Sequence, residues 1–309
     1  MDAIRRRALV ALGLNRAPGF HFAGNFLGVE FGTIAPDAAQ VRIAPGPFCI
    51  GADGQPHFGV VALLADIALA MVVRANLTPS QRLGTVSLHL QLKGGQISGP
   101  LVADSSFAGF LDGAAGRQGL SRVTLSAGGQ AALIGQGTFM VMRPPPGMTM
   151  HPIPSAIHAG AVPLAEGELD TSERATLARV DAALARAASA TEGRIRFIDA
   201  LWSPNARATR GGAVATVDNG PELGNRVGHV QGGLQAALAA ATAAAALPAD
   251  WMLTGVSAWY IRACEGRRLT ITSRIVHQGR GTAVVRTRIA GKGRRQALEV
   301  VTTHVPREG

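Results

Sequence analysis

One order of elements is written twice along this chain, and few folds can be built from such a repeat. In the first copy a loop rich in Gly and Pro ends at Pro56 and leads into an apolar stretch over 60–73, closed by Asn76 and Pro79. Its length and uninterrupted hydrophobicity predict a buried helix. Four β-rich segments follow at 85–93, 101–111, 120–126 and 131–142, separated by Gly-rich breaks, which predicts an antiparallel meander. In the second copy Gln231-Gly232-Gly233 opens a helix over 234–247, and β-rich segments recur at 254–262, 269–277, 283–290 and 296–305. The turns agree as well, Ala127-Gly128-Gly129 answering Ala290-Gly291-Lys292-Gly293.

Each copy is preceded by two strand candidates. The stretch 25–43 is strand-like, with Pro36 and Asp37 turning between 29–34 and 40–43, and 195–201 and 212–217 stand in the same place before the second helix. Pro144-Pro145-Pro146-Gly147 ends the first half. Beyond it 151–163 reads as loop and 172–188 as a helix, with Leu177, Val180 and Leu184 at helical spacing and Glu173 in the first turn. The predicted organisation is an α+β repeat over 1–143, a connecting arm with one helix over 144–194, and a second repeat over 195–309.

The first helix carries a single charge, Asp66, whose helical neighbours are Ala62, Leu63, Leu69 and Ala70. Two readings are open. The carboxylate reaches solvent past small neighbours, or it is buried with its pKa raised, which suits a general base.

Hydrophobic residues make up 47% of the 309 residues, ample for a core of this size. A net charge of +10 favours polyanionic or phosphorylated partners. Aromatics are only 5% and never interleave with basic residues as a base-stacking surface requires, which ranks nucleic acid low. Cys49 and Cys264 match no metal or redox spacing and read as buried thiols in a reducing compartment; the histidines show no metal-ligand spacing. Arg5-Arg6-Arg7 with the short run Ala8 to Leu14 resembles a signal peptide's start but lacks its length and cleavage pattern, and reads as an amphipathic helix packed on the body. No apolar run approaches the ~20 residues that span a bilayer. The expectation is a soluble cytoplasmic protein.

The turn and helix resemble a known family. A His-Gly-Gly-like turn followed by a helix with an acid nine places after the His is similar to the hotdog-fold thioesterases of the PaaI-like group; His57 and Asp66 have that spacing, and Thr85-Val86-Ser87-Leu88-His89 is similar to the strand after the family's helix. Gln231-Gly232-Gly233 is a diverged copy of the turn. The resemblance covers about 20–143 and 195–305 and implies a double hotdog, two repeats each with a long central helix wrapped by a curled antiparallel sheet, standing for the two protomers of the usual dimer.

The resemblance also implies where chemistry sits. One half supplies the helix acid and a strand hydroxyl, here Asp66 and Thr85. The other supplies an Asn, a His and a Gly before its helix, here Asn225, Gln231 in the place of His, and Gly232. The reverse combination is broken, with Ala240 nine after Gln231, Phe58 in the place of the first Gly, and Gly51 six before His57. One working site per chain is therefore expected. The N–H of Gly232, at a helix N-terminus with no side chain in the way, can hold the charge that grows on a thioester oxygen. Asp66 then activates water or attacks directly, and Thr85 and Gln231 orient the groups.

The implied function is a metal-free acyl-CoA thioesterase, with coenzyme A present as part of the substrate, no further cofactor, and a higher assembly of the chains. Two other classes stay open. A hotdog hydratase or dehydratase needs an Asp and a His close together before a helix, and Asp53 and His57 lack the surrounding pattern; a non-catalytic acyl-CoA binder is kept open by Gln231. Asn225 equally reads as a residue satisfying its own loop, and Thr85 as an ordinary strand residue. Arg262, Arg267, Arg268, Arg294 and Arg295 are candidates for phosphate contacts, while Ala68 and Met71 are candidates for lining an acyl tunnel.

Overall fold

The computed structural model describes residues 2–114, 116–144, 146–147, 151, 160–190 and 195–307. Most of the predicted loop over 151–163 lies outside them. Twelve strands form one antiparallel sheet in the order β1-β2-β4-β5-β6-β3-β9-β12-β11-β10-β8-β7. The first set is β1 (Glu30–Ile34), β2 (Ala38–Ile43), β3 (Arg82–Leu92), β4 (Leu101–Gly113), β5 (Gly116–Ala127) and β6 (Gln130–Met142). The second is β7 (Arg207–Thr209), β8 (Gly212–Asp218), β9 (Trp251–Tyr260), β10 (Arg268–Gln278), β11 (Ala283–Ala290) and β12 (Gln296–Pro306). Read inward from either edge, the two sets run in the same order and meet where β3 pairs with β9, Ser87 opposite Trp259.

Alternation decides which face is inside. Along β5 and β10 every second residue is buried, the pattern of a sheet with one face on a core. Two helices fill that face. The first, α3 (Phe58–Arg74), is apolar all round and nearly wholly buried. His57 caps it, its Nδ1 accepting from Gly59 N–H, and the Asn76 amide donates to the Val72 carbonyl at the other end. Buried Ser105 and Ser121 on β4 and β5 donate to the carbonyls of Ala68 and Leu69, tying this helix to its sheet. The second, α6 (Gly232–Ala244), is rich in alanine, the strongest helix former. It meets α3 at Gly233, where a Cβ would lie 2.3 Å from the Ala62 carbonyl oxygen, so only glycine allows this approach.

The remaining helices lie outside the two central ones. The predicted N-terminal helix forms as α1 (Ala3–Arg16), and the predicted arm helix as α4 (Thr171–Ser189). Asp170 and Glu173 close a reciprocal capping box at the start of α4. Arg5 bonds Glu166 and Asp181, and Arg16 bonds Glu173, so the arm docks on α1.

Two strand expectations fail. Residues 25–27 belong to α2 (Phe22–Leu27), ended by Gly28 at φ 68°, a conformation suited to glycine. Residues 197–201 belong to α5 (Phe197–Trp202). Asp199 accepts from the Arg196 N–H, an N-terminal cap, and the helix buries Phe197, Ile198 and Trp202. A short apolar run carries no period long enough to separate strand from helix.

Candidate active site

Asp66 stands two turns into α3 and is only 5% exposed, so the solvent-reaching alternative fails. Its carboxylate crosses to the N-terminus of α6. Oδ2 accepts from Gln231 Nε2 at 2.6 Å and from Gly233 N–H at 3.2 Å, whereas Oδ1 has only the Thr85 hydroxyl at 3.4 Å. Burial pushes the pKa up to about 6, and the three donors pull against that rise. The acid is thus ionised at neutral pH, poised to take up a proton, and has one oxygen nearly free.

Gln231 explains how a glutamine can stand at this turn. Its Oε1 accepts from Leu234 N–H at 2.9 Å and caps α6, which forces the amide nitrogen toward Asp66. Gly232 follows, the first residue of α6. Its N–H has no acceptor among the described residues, as expected for a first-turn donor, and it lines the cavity holding Asp66. A Cβ there would lie 2.8 Å from Asp66 Oδ2 and 3.1 Å from Thr85 Oγ1. Glycine therefore keeps open the space between acid, hydroxyl and helix N-terminus. Thr85 is turned to the site beside a slip in the β3–β6 register between Thr85 and Ser87.

Asn225 lines the same cavity, but its Oδ1 accepts from Val227 and His229 N–H at 3.0 and 3.1 Å. Its oxygen serves the loop, as the local reading expected. Tyr260, the single tyrosine of the chain and not foreseen from sequence, donates to the Gly232 carbonyl at 2.6 Å from the end of β9. Burial and the Asp66 charge raise its pKa well above the ordinary phenol value, so it remains a donor and fixes the Gly232 peptide.

The other turn is closed. At His57, Nδ1 is spent on Gly59 N–H and Nε2 meets Ser203 Oγ at 3.0 Å, while Trp202 packs over Gly59. Asp199 on α5 also accepts from Ala52 N–H at 2.9 Å. Asp53 accepts from Gln55 N–H within its own turn. Ala240 on α6 offers no carboxylate in return. The Asp53–His57 pairing of the hydratase alternative is thus covered by α5 and occupied locally.

The cavity measures about 430 Å³. Met71 lines it and Ala68 does not; of the five arginine candidates Arg262 alone does, joined by Arg74, Arg82 and Arg226, which sequence order had scattered. Among the described residues no three His, Cys, Asp or Glu side chains gather as a metal site. No helix among them is long and apolar enough to cross a membrane.

Residues 221–305 match the family described as acyl-CoA thioesterase N-terminal domain, a span that holds Asn225, Gln231, Gly232 and Tyr260. Comparison with curated proteins gives no match. Solved structures share the fold. A candidate oleoyl thioesterase from Lactobacillus plantarum superposes with TM-score 0.54 at 11% identity, over 88% of this chain and 97% of that one. The 12:0-ACP thioesterase from Umbellularia californica gives TM-score 0.54 at 10% identity, over 87% and 94%. A candidate thioesterase II from Thermobifida fusca YX gives 0.52 at 14%, over 96% and 97%.

Proposed function

We propose that this chain, a hotdog-fold thioesterase by its fold and by the family matched over residues 221–305, hydrolyses acyl-CoA thioesters at Asp66 without a metal ion. The observation that carries the reading is the buried Asp66 carboxylate beside the Gly232 N–H, which has no acceptor among the described residues, at a substrate-sized cavity. Asp66 Oδ1 takes a proton from water, the water oxygen bonds to the thioester carbon, and the oxygen charge is held by Gly232 N–H at the positive end of α6. The C–S bond then breaks, and the thiolate leaves with the proton returned from Asp66. Direct attack by Asp66 to give a mixed anhydride, later opened by water, uses the same groups. Gln231 and Thr85 orient the carboxylate in either case, and Tyr260 positions the Gly232 peptide.

The reading includes a duplication. Repeats over 1–143 and 195–309, joined by an arm over 144–194, form a double hotdog of the PaaI-like kind, supported by the matching strand orders and by the paired helices. Self-association of such chains through their sheets, and work in the cytoplasm, belong to the same reading. The test is release of free CoA from acyl-CoA, followed with a thiol-trapping reagent in wild type and Asp66→Asn. Thiol release that Asp66→Asn abolishes supports it. Hydration of an enoyl-CoA without release, or binding without turnover, would overturn it.

A further inference from the structure

The catalytic cavity has a second polar end that hydrolysis at Asp66 does not use. On α3 the lining face runs Asp66, Ile67, Ala70, Met71, Arg74. Eight residues of helix place the Arg74 backbone roughly 12 Å beyond that of Asp66. The wall between is apolar. Arg226, from the loop before α6, lines the same cavity, and burial, joined by the positive charge of Arg74, pushes its pKa down to about 10. Burial lowers Arg74 as well.

Among the described residues neither arginine meets an acid. Arg74 donates to the Gln81 carbonyl at 3.3 Å and Arg226 to the His151 carbonyl, and neither joins an ion pair among the described residues. Asp66 is the sole acid among the described residues lining the cavity, and it is held by Gln231, Gly233 and Thr85. His21, beside Arg226, supplies no counter-charge: its Nδ1 accepts from Gly24 N–H, and burial with the Arg226 charge pushes its pKa down to about 3. Two half-buried guanidinium groups that repel each other over an apolar floor are an arrangement that an anion relieves. A second cavity of about 520 Å³ shares Phe20, His21, Asn225 and Arg226 with the first, so Arg226 stands at a junction with room on both sides.

We infer that Arg74 and Arg226 form an anion clamp inside the catalytic cavity, holding a carboxylate or phosphate group carried by the thioester substrate. The inference rests on the thioesterase reading of Asp66 and names what that substrate must carry. The oxyanion has two sources, a carboxylate at the far end of the acyl chain or a phosphate of coenzyme A. The apolar Ile67–Ala70–Met71 face suits hydrocarbon between thioester and clamp.

Four thioesters separate the sources: hexanoyl and adipoyl groups, each on CoA and on pantetheine, which lacks phosphate. They are compared in wild type, Arg74→Gln, Arg226→Gln and, as control, Arg295→Gln on an exposed turn. If the clamp holds the acyl carboxylate, the variants raise the adipoyl-to-hexanoyl KM ratio about tenfold or more on both carriers. If it holds a phosphate, they raise the CoA-to-pantetheine KM ratio by that much for both acyl groups. Either outcome supports the clamp. Neither ratio moving more than about twofold, or Arg295→Gln acting equally, overturns it. Melting curves guard against misfolding, since removing one of two like charges should not lower the midpoint. If wild type hydrolyses none of the four, the thioesterase reading falls separately. The clamp is then read from thermal protection by adipate and by CoA, and the absence of protection, or equal protection in both glutamine variants, overturns it.

Discussion

Under the proposed mechanism Asp66 pulls stability and activity in opposite directions. Its folded-state pKa of about 6 lies above the ordinary carboxylate value of 3.8, so its contribution to stability is complete below pH 3.8 and is lost as pH rises through 6. At pH 8 the ionised acid costs the fold on the order of 3 kcal/mol relative to a group with no shift. Asp66→Asn should therefore melt higher than wild type at pH 8, and the difference should vanish near pH 3.5; a lower midpoint at pH 8 would contradict the burial argument. The same substitution should cut kcat by about 10² to 10⁴. In wild type, kcat/KM should fall as pH drops below about 6, and a profile flat from pH 5 to 8 would remove Asp66 as the base. This residue was legible in sequence because a lone charge in an apolar run has no local excuse. Tyr260 and Arg74 were not: each looks ordinary on its own element, and its role appears only where β9, α3 and the 225–231 loop converge.

At the scale of elements, the α3–α6 approach fixes the distance across which Asp66 reaches Gly233. Gly233→Ala places a methyl against the Ala62 backbone, which cannot swing aside, and should cost roughly 1–3 kcal/mol in chemical denaturation and most of the activity. Gly59→Ala, at the corresponding place on α3, meets the His57 and Trp202 side chains instead and should cost less. Equal losses would mean that the two turns pack alike. Helices α1, α3, α4 and α6 and eleven of the twelve strands, all but the three-residue β7, were readable from period and turn chemistry. What failed was short: α5, six residues placed by Phe197 and Trp202 packing, looks like a strand until its burial is seen.

For the whole molecule, a charge of +10 with four arginines lining the cavity predicts that KM for acyl-CoA rises with salt, since exposed charges are screened over ~10 Å at 0.1 M. A KM independent of salt between 0.05 and 0.5 M would detach that charge from substrate binding. Occupancy should be one ligand per chain. His57→Ala should lower the melting point by the loss of a helix cap, about 1 kcal/mol, while turnover stays near wild type. Calorimetry returning two equivalent sites, or turnover collapsing with His57→Ala, would mean that the covered turn is in use. A difference between the two turns was expected from Gln231, Ala240 and Phe58; that α5 and Ser203 pack on the turn at His57 was not, because those contacts span the chain.

That covered turn bears on how such a chain can change over generations. In a dimer of identical subunits every substitution enters both clefts at once, so neither can be remodelled alone. On the double-hotdog reading proposed above, the half carrying Asp66 and the half carrying Gly232 are inherited together but bear different duties, and the turn at His57 anchors the segment that joins them. Drift in α5 or the 51–57 loop is paid in stability, and drift around Arg74 or Arg226 in substrate choice, so selection can act on the two properties through separate sets of residues.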